Sequence, residues 1–292
     1  MKQIVVISGK GGTGKTVITG AFAALAEGFF GRKQVMADCD VDAADLHLLL
    51  KPDIKERHEF KSGKSAVIDK KLCISCGKCR SICRFSAITE DFTVDSVSCE
   101  GCGFCSHVCP VDAIKMKENI AGEWFISDTR FGPMVHAKLG IAEENSGKLV
   151  TLVRNKAKET AEKEGVDFVI VDGSPGIGCP VIASIAGIDC ALVVTEPTLS
   201  GLHDADRVIK VTSHFGITSK LIVNKYDLNQ EMTDKIEKYC KDNKVEMLGK
   251  VSFDKEIVNA MVNGKTIVEY SDSRAKKEIT DIWNRLMDSF QT

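Results

Sequence analysis

The sequence predicts an α/β protein built on a mostly parallel, doubly wound sheet, with a small cysteine-rich α+β domain inserted into it. Three observations predict this. Short β-branched runs alternate with helical stretches along most of the chain. A glycine-rich loop joins the first such strand to the first helix. Between Arg57 and about Ser127 the alternation stops, and eight of the twelve cysteines fall there. The expected boundaries are residues 1–57 and 128–292 for the α/β domain and 58–127 for the insert.

In chain order, Ile4–Ile7 reads as a strand buried on both faces and leads into the alanine-rich helix Val17–Phe30. Further strands are expected at Val35–Asp38, Phe168–Asp172, Ala191–Thr195, Lys220–Asn224 and Met247–Val251. Helices are expected near Asn145–Lys163, Ser200–His214 and Met232–Asp242. The chain of 292 residues is 43% hydrophobic and 27% charged, ordinary for a folded protein, and nothing in it reads as disordered. Its formal net charge of −2 is interspersed, so no overall field attracts nucleic acid or an anionic membrane. The apolar run after Met1-Lys2-Gln3 is too short for a signal peptide and none reaches membrane-spanning length, so the expected location is the cytoplasm.

Gly9-Lys10-Gly11-Gly12-Thr13-Gly14-Lys15-Thr16 fits G-x-x-x-x-G-K-[ST] between a strand and a helix, the context in which backbone amides and a helix N-terminus cradle phosphates. In such a loop Lys15 neutralises the β- and γ-phosphates and Thr16 offers its hydroxyl to Mg²⁺. Asp38-Cys39-Asp40-Val41-Asp42 ends the second strand, where carboxylates can orient water or hold the water shell of a metal, although Asp42 also suits an N-cap for a helix over Ala43–Leu50. Phe168–Asp172 is an apolar strand ending in Asp, which makes Asp172 a candidate for the Mg²⁺ shell. Asn224-Lys225-Tyr226-Asp227 has the N-K-x-D form that reads guanine in GTPases.

Cys73, Cys76, Cys79 and Cys83 are spaced x2, x2, x3, and Cys99, Cys102, Cys105 and Cys109 repeat that spacing before Pro110. Each is the bacterial ferredoxin run, in which the fourth cysteine ligates the other cluster. Cys73, Cys76, Cys79 and Cys109 are thus expected to hold one 4Fe–4S cluster, and Cys83, Cys99, Cys102 and Cys105 the second; zinc is the alternative for CxxC pairs. Arg84 departs from the pattern, standing where a proline is expected after Cys83. Cys39, Cys190 and Cys240 read as packed thiols and Cys179 as a helix-start thiol. Histidines 47, 58, 107, 136, 203 and 214 show no zinc spacing.

Lys10 makes the loop resemble the deviant KGGxGK[ST] motif of the MinD, ParA, Mrp-type and nitrogenase iron protein family. Asp40 then resembles the catalytic position of switch I, and Asp172 to Gly176 resembles switch II. The resemblance implies an ATPase that binds ATP and Mg²⁺ and forms a nucleotide-dependent homodimer in which Lys10 reaches the phosphates of the partner. It also implies that Asn224 contacts adenine, so ATP rather than GTP is expected, with Asp227 beside it. Cys179 is similar in position to the intersubunit cluster ligand of the nitrogenase iron protein. Glu196-Pro197-Thr198-Leu199-Ser200-Gly201-Leu202 resembles a family segment with no assigned chemistry. The implied partner is a redox or metallocofactor-assembly protein, with no nucleic acid. The alternatives are a MinD/ParA-like positioning or redox-sensing switch and an electron carrier whose nucleotide site regulates docking. MinD binds membrane through a C-terminal amphipathic helix; here Ile279, Ile282, Trp283, Leu286, Met287 and Phe290 have helical spacing, but Glu278, Asp281 and Asp288 interrupt the basic face, which favours docking on the sheet over membrane binding.

Overall fold

The computed structural model describes residues 1–30, 34–140 and 146–290, and the chain divides into two compact units. The larger comprises residues 1–57, 124–138 and 146–290. The smaller comprises residues 58–123 with 139 and 140.

The elements run in the order β1 (Lys2–Ser8), α1 (Lys15–Phe30), β2 (Val35–Asp38), α2 (Leu46–Leu50), β3 (Asp53–Ile68), α3 (Lys78–Ile82), α4 (Phe104–His107), β4 (Ile114–Thr129), β5 (Gly132–Leu139) and α5 (Ser146–Glu164). They continue through β6 (Phe168–Pro175), α6 (Cys179–Ile185), β7 (Cys190–Thr195), α7 (Leu199–His214), β8 (Thr218–Asn224), α8 (Gln230–Asp242), β9 (Glu246–Val251), α9 (Lys255–Val262), α10 (Ile267–Tyr270) and α11 (Arg274–Asp288).

In the larger unit the strand order is β5-β2-β6-β1-β7-β8-β9, and the pairs β1–β6, β1–β7, β2–β5, β2–β6, β7–β8 and β8–β9 are parallel. The expected parallel α/β sheet is therefore present. Ile4 to Ile7 are all 0% exposed, as a central strand with covered faces requires. Ile4 and Val6 join a core formed with α1 and α11, while by strand alternation Val5 and Ile7 face the other way. Phe22 of α1 meets Trp283 of α11 at a ring separation of 5.0 Å, and burial of each ring contributes roughly 2–3 kcal/mol. Gly249 lets α11 approach β9, since a Cβ there would lie 2.4 Å from Ile282 Cγ1. Ile279, Ile282, Trp283, Leu286 and Met287 are all buried, so the apolar face of α11 is spent on the sheet.

β5 and α2 are among the elements that differ from expectation. β5 reads poorly in the sequence because Pro133 argues against a central strand, yet Met134 and Val135 pair in parallel with Met36 and Ala37. α2 begins at Leu46 rather than Ala43, and Asp42 is an exposed loop residue that does not cap it. The helix expected from Asn145 starts, within the described residues, at Ser146.

The smaller unit is an internal repeat with an offset of 26 residues. Gly77 and Gly103 precede its two short helices with φ of 77° and 76°, and Ser75 and Gly101 share positive φ of 55° and 64°. Ser86 and Asp112 repeat the match at 51° and 49°. Left-handed residues so placed make the chain wrap tightly around the cysteines, and Ala66, Cys79, Ile88, Cys105 and Ile114 form the small core.

Candidate nucleotide and cysteine sites

The phosphate loop joins β1 to α1 at the C-terminal edge of the sheet, where ligands bind in open α/β folds. Gly12 and Gly14 have φ of 78° and 97°, which few other residues adopt. A Cβ on Gly14 would lie 2.3 Å from Asn224 Nδ2, so this glycine also admits the Asn224 amide. That amide donates to the Thr13 carbonyl over 2.8 Å, while Asn224 Oδ1 accepts from the Lys225 N–H at 3.0 Å. The Thr13 hydroxyl is buried without a hydrogen-bond partner.

Three carboxylates gather beside the loop because parallel pairing sets Asp38 of β2 opposite Asp172 of β6. Thr16 Oγ1 donates to Asp172 Oδ2 over 2.7 Å and Thr19 Oγ1 to Asp172 Oδ1 over 3.1 Å. Burial pushes Asp172 up to about 6, against the opposing pull of Lys15. Burial, and then repulsion from Asp172, raises Asp38 well above the usual carboxylate range. Asp38 accepts the amides of Asp40 at 3.2 Å and Leu46 at 3.3 Å, so it shapes the loop carrying Asp40. Lys15 Nζ lies 3.4 Å from Asp40 Oδ2 in a buried pair, and burial raises Asp40 despite that lysine. The loop is tied to β6 by the Ser174 hydroxyl, which donates to the Cys39 carbonyl over 2.6 Å. The Gly176 amide donates to the Ser8 carbonyl over 2.8 Å, so in this conformation it serves the fold.

A cavity of about 410 Å³ opens over these groups. Gly11, Gly12, Gly14, Lys15, Thr16 and Asp40 line its polar end, and Leu48, Phe253, Ile257, Val258 and Met261 supply an apolar wall. Asn224 lines it too. Asp227 does not; it accepts the Phe253 amide over 2.7 Å and thereby anchors the segment that forms part of the wall. Phe253 and α9 were not singled out in the sequence, since an apolar wall has no signature apart from ordinary core. Gly9 and Lys10 also lie outside the lining, and Lys10 Nζ sits 3.6 Å from Glu196 Oε2.

In the smaller unit one cavity is lined by Cys73, Cys76, Cys79 and Cys109, and a second by Cys83, Cys99, Cys102 and Cys105. Equivalent cysteines of the repeat share their burial: Cys76 and Cys102 are exposed, Cys79 and Cys105 are buried, and the other four are intermediate. Burial raises the Cys79 and Cys105 thiols above their ordinary range. The Ala113 amide donates to Cys109 Sγ over 3.3 Å. Among the described residues no three His, Cys, Asp or Glu side chains close around a single metal ion; the thiols instead surround the two cavities. Cys39, Cys190 and Cys240 are buried, and Cys179 is an exposed thiol at the start of α6. Among the described residues no helix is long and apolar enough to cross a membrane.

The family model described as the CobQ/CobB/MinD/ParA nucleotide binding domain matches residues 4–267. An uncharacterised protein of Methanocaldococcus jannaschii is 31% identical over 98% of this chain and 96% of its own length. The septum site-determining protein MinD of Bacillus subtilis is 23% identical, over 98% of this chain and 89% of its own length. The solved structure of the septum site-determining protein MinD of Pyrococcus horikoshii, complexed with Mg-ADP, shares the fold at a TM-score of 0.61 and 18% identity, covering 100% of this chain and 98% of its own. With a phosphate loop, a buried strand-end aspartate and a nucleotide-sized cavity on one parallel sheet, the chain belongs to the CobQ/CobB/MinD/ParA nucleotide-binding family and is a P-loop ATPase of the MinD/ParA type.

Proposed function

We propose that this ATPase binds MgATP in the cavity over its phosphate loop and forms an ATP-dependent homodimer coupled to two 4Fe–4S clusters in the smaller unit. The process served is metallocofactor assembly or ATP-gated electron delivery to a partner protein. The observation that carries the iron–sulfur half is the pairing of cysteines at the two cavities: three from one run and the fourth from the other, in both cases. Thiols partly withdrawn from water, on a backbone bent by left-handed residues, suit ligation of a compact cluster. Bound there, the clusters would accept and release single electrons.

The roles proposed for the nucleotide site draw on its geometry and, for Lys10, on the family resemblance. Amides of residues 9–16 and the Lys15 ammonium hold the phosphates, and the unpartnered Thr13 hydroxyl is a buried group in this loop that a ligand can satisfy. Thr16 and Asp172, already hydrogen-bonded to each other, are the pair for Mg²⁺ and its water shell. Asp40 orients the attacking water once phosphate draws Lys15 away from it. Lys10 acts on the phosphates of the second copy.

Anaerobic purification with iron and sulfide assay tests the first half. About eight irons per chain and a broad absorbance near 400 nm, partly bleached by dithionite, are expected for two four-iron clusters. Stoichiometric zinc without inorganic sulfide would overturn it. For the second half, Asp40→Ala should accumulate an ATP-bound dimer in sedimentation, whereas Lys15→Ala should bind neither ATP nor ADP well.

The similarity to MinD along almost the whole chain supports a second reading, a positioning or redox-sensing switch. ATP turnover that changes when the clusters are oxidised, with no electron transfer to an acceptor, would favour it.

A further inference from the structure

The segment from Glu196 to Leu202 resembles a family segment with no assigned chemistry. The structure turns it into a rigid holder. The Thr198 side chain caps α7 by accepting the Gly201 amide over 2.9 Å, and the Thr195 hydroxyl donates to the Gly201 carbonyl over 2.8 Å. Gly201 has no room for a side chain, because a Cβ would lie 2.4 Å from the Glu196 carbonyl oxygen. Gly9 is equally confined, since a Cβ there would lie 2.3 Å from Asp204 Cβ, so the phosphate loop lies directly against α7.

The Glu196 carboxylate is held between two ammonium groups. Oε1 lies 2.6 Å from Lys225 Nζ and Oε2 lies 3.6 Å from Lys10 Nζ, with Ser200 Oγ accepting from Lys10 at 3.4 Å. The carboxylate side chain is only 17% exposed, against 35% for Lys10 and 33% for Lys225. Partial withdrawal from water makes such a pair stronger than one at the open surface. Glu196 therefore joins the ends of β1, β7 and β8, and it gives Lys10 an anionic partner within its own chain.

We propose that Glu196 is a positioning residue that seats Lys10 on its own subunit and sets the ATP level at which Lys10 is released to a second copy. The release half rests on the dimer reading above. Lys10 must leave the carboxylate before it can meet phosphate elsewhere, so the strength of the seat opposes dimerisation. Lys225 weakens the seat by sharing the same carboxylate.

Two measurements on the full chain test this. In the ADP-bound single chain, acylation of Lys10 by an amine-reactive ester, read by mass spectrometry, should be about threefold faster in Glu196→Gln than in wild type. In sedimentation against ATP concentration, Glu196→Gln should dimerise at about threefold lower ATP, and Lys225→Gln at higher ATP. In a Lys10→Ala background, Glu196→Gln should change nothing further, because the opposing contact is already gone. Unchanged Lys10 labelling in Glu196→Gln overturns the seat. Faster labelling with an unmoved ATP threshold, or an equal shift without Lys10, overturns the release role. Absence of dimers in every protein, with labelling still responsive, refutes the dimer reading and the release role with it but leaves the seat in place.

Discussion

The Asn224 amide donates to the Thr13 carbonyl over 2.8 Å, across 211 residues of sequence. Asn224 lines the nucleotide cavity, but this bond makes it a brace for the phosphate loop. Asn224→Ala should therefore weaken ATP and GTP binding by a similar factor, roughly 5- to 30-fold for one lost buried hydrogen bond and a looser loop. Titration calorimetry with both nucleotides checks it. ATP should remain preferred, and a switch of preference would mark Asn224 as a reader of the base instead.

Thr16 Oγ1 donates to Asp172 Oδ2 over 2.7 Å, and these two side chains are the ones proposed for Mg²⁺ and its water shell. Thr16→Val keeps the bulk of the side chain but removes the hydroxyl, leaving Thr19, among the described residues, as the hydroxyl that donates to Asp172. The Mg²⁺ concentration for half-maximal ATP hydrolysis should rise roughly 10- to 100-fold. Circular dichroism should be unaltered, and an unchanged Mg²⁺ requirement would overturn the metal role proposed for Thr16.

Two glycines of the smaller unit have similar backbones and opposite surroundings. Gly101, at φ 64°, would place a Cβ 2.0 Å from the Lys64 carbonyl oxygen, whereas a Cβ on Gly63, at φ 74°, would meet nothing within 4 Å. Gly63→Ala should cost about 1 kcal/mol for the left-handed backbone alone. Gly101→Ala should cost more than about 2 kcal/mol, or unfold the unit, since backbone must move. Denaturant midpoints of the anaerobically prepared variants decide whether the two differ.

His136 sits beside Phe125, with rings 5.0 Å apart, and its Nε2 lies 2.9 Å from the Ser127 hydroxyl. Burial lowers it from 6.5 to about 4. Between these values the folded chain binds fewer protons than the unfolded chain, so stability rises with pH there and is lost as pH falls from about 6.5 to about 4. His136→Phe should flatten that part of the stability profile. Urea midpoints at several pH values across the window report it, and an equal slope in the variant would contradict the burial argument.

The parts of this protein legible in the sequence are those whose chemistry lies within a few consecutive residues. The phosphate loop is contiguous from Gly9 to Thr16, and a strand before it and a helix after it are themselves local patterns. The two cysteine runs are equally local, and their spacing already groups Cys109 with Cys73, Cys76 and Cys79, and Cys83 with Cys99, Cys102 and Cys105, the two sets that line the two cavities. Asp172 was recognisable because an apolar run ends on it.

What the tertiary structure decided was the set of partners that only parallel pairing assembles. Neighbouring strands in such a sheet are joined by long crossovers, so their ends meet from distant positions. Asp38 comes to face Asp172, Asn224 reaches the loop of β1, and Glu196 at the end of β7 comes between Lys10 and Lys225. β5 was obscured by Pro133, whose missing N–H is tolerated at the second residue of a strand that then pairs through Met134 and Val135. Local pattern determines which residues can carry charge, phosphate or metal, because those capacities belong to side chains and short loops. Which of them act together depends on strand order and register, and these are set by burial summed over the whole sheet.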